Sequence, residues 1–131
     1  MKSGYIVYNV DGDLLQVNEE KYSDSYDMLC DLVGGYIEVM SYVAEFRERG
    51  ISLVINEEGK IINLEPSMVF LNKGNIVDMV MGNVVFVKVD EEGNTIPLND
   101  EDVVFVEKYI NSNRVILSSG DDTRLAVVLK V

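Results

Sequence analysis

Histidine and tryptophan are absent from this 131-residue chain, cysteine occurs once and proline twice. Without histidine there is no imidazole to act as a base near neutral pH, to activate a serine or cysteine nucleophile, or to ligate a metal. A single cysteine, Cys30, cannot pair within the chain, so a disulfide framework is excluded and a reducing compartment is expected. Cys30 sits among apolar helix formers with Asp27 and Asp31 beside it, a setting that raises a thiol pKa and suits packing better than nucleophilic attack. No apolar run approaches the ~20 residues that span a bilayer, and the N-terminal stretch meets Asp11 and Asp13 too early for a secretory signal. A cytoplasmic location away from membranes is expected.

Cations are scarce as well. Eleven Lys and Arg face 23 Asp and Glu, a net charge of -12, with a pI near 4.2. Such a field repels nucleic acid and anionic membranes, and suits a basic protein surface or a site built for phosphates. It also keeps a small apolar protein in solution. What is present is core material: 47% of residues are hydrophobic and the mean hydropathy is +0.08, which excludes wholesale disorder and fits one domain over residues 1–131.

Strand-like and helical patterns alternate along the chain. Tyr5 to Val10 and Leu14 to Val17 flank Asp11-Gly12-Asp13, a hairpin signal. Ser23 caps a helix through Val33, with Tyr26, Leu29, Cys30 and Val33 at helical spacing and Gly34-Gly35 as its stop. Tyr36 to Val43 reads as a strand and Ala44 to Arg49 as a single helical turn ended by Gly50. Leu53 to Phe70 aligns with Val87 to Phe105 as a repeat, each copy reading as strand, acidic turn with glycine, strand and helix start. Pro66 marks the first helix start, Asn99 with Asp102 the second. Ile76 to Met81 and Val84 to Val89 are strand candidates, and Asp102 to Ile110 is helical despite its valines. Arg114 to Leu117 and Leu125 to Val131 form a closing hairpin, whose last strand is apolar enough to be central or to pair across a dimer. The expected fold is α+β, a mostly antiparallel sheet of hairpins with two or three short helices.

Leu32-Val33-Gly34-Gly35-Tyr36-Ile37-Glu38, followed by Asn56-Glu57-Glu58-Gly59, resembles an uncharacterised family of small phage and mobile-element proteins. Gly82-Asn83-Val84-Val85 and Leu98-Asn99-Asp100-Glu101 are similar to that family's later segments. The resemblance runs from about Asp24 to Ile110 and leaves residues 111–131 as an added hairpin. Ser67 stands where the family usually has Asn. The resemblance implies a phage or mobile-element setting in a bacterial host cell, where such proteins often block host defence, and no chemistry.

Two functional readings emerge. The first is a non-enzymatic accessory protein that binds a host protein, in one version a defence factor, through an acidic face made by Glu57, Glu58, Glu91, Glu92, Asp100, Glu101 and Asp102. The second is a module sequestering a nucleotide-like molecule, with Arg47, Arg49, Arg114 or Arg124 gripping phosphate and Tyr36, Tyr42 or Phe46 stacking on a base. Homodimerisation through an exposed apolar strand is compatible with both. No metal site is expected, because the acidic turns lack the terminal glutamate of a calcium loop, and no cofactor motif is complete. No two carboxylates are marked as a catalytic pair, so an enzyme is not expected.

Overall fold

The computed structural model describes residues 4–17, 25–120 and 122–131, with the backbone alone at 117, 119 and 122–125. The expected Ser23 cap lies outside the described residues. Two sheets make the α+β fold. The first runs β2 (Leu14–Val17), β1 (Tyr5–Tyr8), β7 (Val84–Val89), β4 (Ile51–Asn56), β3 (Ile37–Met40), with β8 (Thr95–Ile96) paired to β7. The second runs β6 (Asn75–Met81), β5 (Pro66–Asn72), β10 (Asp122–Lys130), β9 (Arg114–Ser119). All pairings are antiparallel except β5 with β10.

Alternation along the central strands produces two apolar faces on the six-stranded sheet. Tyr5, Val7, Val54, Val85 and Val87 face α1 (Ser25–Val33), which contributes Met28, Leu29 and Val33. Ile6, Tyr8, Leu53, Val84 and Phe86 face the other way, onto α3 (Asp100–Ser112) and the second sheet. There they meet Val103, Val106 and Ile110 from α3, Met68 and Phe70 from β5, and Val127 and Leu129 from β10. Burying each large side chain of this set contributes roughly 1.5–3 kcal/mol. Val103 and Val106 are fully buried, and that burial outweighs the few tenths of a kcal/mol that β-branching costs a helix.

Local sequence explains several element ends. Asn9 and Asp90 open hairpin tips of the same design. In both, the side-chain Oδ1 accepts from the amides two and four residues on, Asp11 and Asp13 at 3.0 and 3.0 Å, Glu92 and Asn94 at 2.9 and 2.8 Å. The backbone closes each turn with the same two bonds, and the glycine in each has positive φ, 90° at Gly12 and 85° at Gly93. Asn99 caps α3 by accepting from the Asp102 amide at 2.8 Å.

The expected repeat is where sequence pattern and structure part. Asn56 starts its turn as Asp90 does, its Oδ1 accepting from the Glu58 amide at 2.8 Å, but the chain does not fold back on β4. It winds on through bonds from Ile62 to Glu58 and from Leu64 to Gly59, with Asn63 at φ 62°. Pro66 then opens strand β5 in the other sheet and begins no helix. An initial strand position tolerates proline, because its missing N–H is not needed there. The strand expected over Tyr36 to Val43 is confined to Ile37–Met40, and Ala44–Arg47 forms the single turn α2. The closing hairpin forms as expected, with β10 central between β5 and β9 and so not itself a dimer edge.

Candidate functional site

Three of the four segments that carry the family resemblance meet at the C-terminal end of α1, and the fourth, Leu98 to Glu101, opens α3. Gly34, at φ 80°, and Gly35 both donate their amides to the Cys30 carbonyl, at 2.9 and 3.0 Å. The carbonyls of the last two helical residues are taken from afar. Asn83 Nδ2 donates to Leu32 O at 3.0 Å, and buried Asn56 Nδ2 donates to Val33 O at 3.1 Å. A side chain at Gly35 would stand 2.9 Å from Asn56 Nδ2, and one at Gly59 would run into the Met81 carbonyl. The Gly-Gly, Asn-Glu-Glu-Gly and Gly-Asn motifs are therefore one structural joint, tying α1 to β4 and β7.

The acidic residues divide. Glu57 and Glu58 follow the C-terminal end of β4, whereas Ile51 at its start pairs with Lys88, just before the tip that carries Glu91 and Glu92. At ~3.3 Å per residue the six-residue strand holds these groups about 17 Å apart. Asp100 and Glu101 lie exposed in the first turn of α3, on the same side of the molecule as Glu91 and Glu92, because Lys88 is bonded to the adjacent Asp102. Asp102 itself is 3% exposed. Its carboxylate takes Lys88 Nζ at 2.7 Å and Arg49 Nη1 at 3.8 Å, so it anchors the helix and offers nothing to a partner. Asp90 is also committed: the Asn94 amide, then the Glu92 and Gly93 amides, hold its carboxyl below the usual aspartate range.

Among the described residues, arginine and aromatic side chains do not assemble a phosphate site. Arg47 donates to Ser41 O at 3.0 Å. Arg49 lies over the Phe105 ring at 3.9 Å. Arg114 binds the Gly12 carbonyl and Asn111 Oδ1, past the far end of α3. With 13 residues in that helix, Arg49 and Arg114 stand on the order of 15 Å apart. The side chain of Arg124 lies outside the described residues. Phe46, expected as a stacking platform, is buried against Phe86, Phe105 and Tyr109. Tyr42 is half-exposed and meets Phe70 edge-on, while Tyr36 projects into solvent.

Three further features adjoin these clusters. A cleft of about 80 Å³ between β3, β4 and β6 is lined by Glu38, Asn56, Glu57, Lys60 and Asp78. Burial pushes the Asp78 carboxyl up, and the Lys60 hydrogen bond, the Met79 amide and the Lys60 charge together bring it below its ordinary value. An open groove of about 480 Å³ runs along α3 past Arg49, Asp100, Glu101, Val104, Phe105 and Lys108. The Tyr8 hydroxyl is buried without a hydrogen-bond partner among the described residues, and burial raises its pKa against the opposing charge of Arg114. Among the described residues no three acidic or cysteine side chains gather as a metal site, and no helix is long and apolar enough to cross a membrane.

The chain belongs to a domain family of unknown function, DUF3846, whose model matches residues 1–112. That match takes in the first hairpin as well as the motif segments, and stops before β9 and β10. No curated protein and no solved structure gives a significant match.

Proposed function

We propose that this protein is a non-enzymatic accessory protein of a phage or mobile element that binds a host protein, one of a defence system by association with that setting. Its contact surface is the acidic end of the six-stranded sheet. The observation that carries this reading is the grouping of Glu91, Glu92, Asp100 and Glu101, four exposed carboxylates on two adjoining rigid supports. A hairpin tip closed by Asp90 and a helix start capped by Asn99 fix the backbone beneath them. Side chains held on such supports lose little entropy on binding, and a single-sign patch steers a basic partner. Glu57 and Glu58 stand at the opposite end of β4, outside this group. The nucleotide reading has no comparable support, since Arg47, Arg49 and Arg114 are spent on separate internal partners.

The test is co-purification from host lysate with the wild-type chain and with Glu91→Lys, Glu92→Lys, Asp100→Lys, Glu101→Lys combined. A stoichiometric partner that is released by high salt and lost in the fourfold variant is the expected result. Retention of every partner by that variant overturns the reading.

A further inference from the structure

The four-stranded sheet is nearly free of the chain's negative charge. Among its described side chains are Lys73, Arg114 and Lys130 against Asp78, a net charge of +2 in a chain whose net charge is -12. An identical copy approaching the rest of the molecule meets like charge, and approaching this sheet it does not. The free edges also differ in how they are protected. β2 and β3 are four residues long, and β3 carries Glu38. β6 is bulged, and Asp78 on it takes both the Met79 amide and Lys60. β9 has six residues, a regular register with β10, and neither proline nor charge after Arg114. Such an unguarded edge is a template for another strand.

The direction of its free groups is set by one bond. The Val128 amide donates to Asn113 O at 2.9 Å, which makes Asn113 a hydrogen-bonded position of the antiparallel ladder. By alternation, Val115, Leu117 and Ser119 also bond to β10, while Arg114, Ile116 and Ser118 turn their N–H and C=O groups outward. Ile116 is 66% exposed. We propose that two copies of this chain pair through β9, antiparallel about a two-fold axis at Ile116, and merge their four-stranded sheets into one continuous sheet. Ile116 then exchanges both backbone bonds with its own copy, and Arg114 faces Ser118 of the partner subunit, so no like charges are opposed. This assembly does not depend on the acidic contact proposed above.

Sedimentation equilibrium of the full chain, at concentrations up to about 100 µM, tests it. Dimer mass is expected for the wild type. Ile116→Pro removes an outward N–H and leaves the β9–β10 bonds in place, so it weakens the dimer at least about tenfold, whereas Ile76→Lys on β6 leaves it unchanged. A wild-type monomer, or a dimer that survives Ile116→Pro, overturns the proposal. Amide exchange on the wild type gives a second readout independent of any variant. Ile116 and Ser118 amides exchange at least about tenfold more slowly in concentrated than in dilute protein, and equal rates overturn it.

Discussion

The two sheets share one core but are finished by different physics. The six-stranded sheet and its helices are closed by specific polar joints: Asn56 and Asn83 on the last turn of α1, and Lys88 with Arg49 on Asp102. The four-stranded sheet is held by apolar burial of Met68, Phe70, Val127 and Leu129, with Ser67 its buried polar residue among those described. Polar joints fix geometry, since a buried group has few acceptable partners. Apolar burial is non-directional and tolerates more change at the surface. The motif-bearing joint sits on the first kind of sheet, and the proposed self-association edge on the second.

Variants sharpen this contrast. The largest effect is expected at Leu129, fully buried at the junction of both sheets. Leu129→Ala costs about 3 kcal/mol in urea unfolding with the transition remaining single and cooperative. A second, separate transition for the four-stranded sheet would show that the two sheets are not one folding unit, although the family match ends at residue 112. Next is Asn56→Ala, which removes its bond to Val33 O and frees the Glu58 amide, at a cost of about 2 kcal/mol. Here the loss should be accompanied by faster amide exchange at Gly34 and Gly35, while β9 and β10 amides are unaffected.

The smallest effect is expected at Asp90, and it depends on pH. Its folded-state pKa is depressed by the amides it accepts. The stability it contributes is thus present above the unfolded aspartate value of about 3.9, and is lost as pH falls through the lower folded value. Asn9 shows that an amide serves the same turn. Asp90→Asn therefore leaves stability at neutral pH close to that of the wild type. Thermal melts from neutral pH down through this range should show a weaker acid dependence for the variant than for the wild type.

Elements whose ends are decided locally were legible in the sequence. The Asp11-Gly12-Asp13 turn, the Gly34-Gly35 stop, the Asn99 start and the closing hairpin each rest on bonds within a few residues. The apparent repeat misled because Asn56 and Asp90 make the same opening bonds. Beyond those bonds the path of the chain is decided by distant partners, β3 and β7 for β4 and β10 for β5, and no short window contains them. The acidic face was legible only in part. Lys88 shares a strand face with Val84 and Phe86, and Asp102 stands one helical turn before Val106, so periodicity marks both as inward-facing. Phe46, three residues after Val43, is similarly marked. That Glu57 and Glu58 are remote from Glu91 and Glu92 required the β4–β7 register.

The parallel pairing of β5 with β10 has a kinetic consequence. It joins Met68 to Val127 and Phe70 to Leu129, contacts across more than fifty residues of chain, and β10 leaves the ribosome after every other strand described. During synthesis the β5–β6 hairpin must wait with one edge open, because its neighbour does not yet exist. Long-range pairing of this kind slows folding. The nascent chain therefore leaves β5 open to misassociation until β10 emerges, an edge that the finished protein covers on both sides.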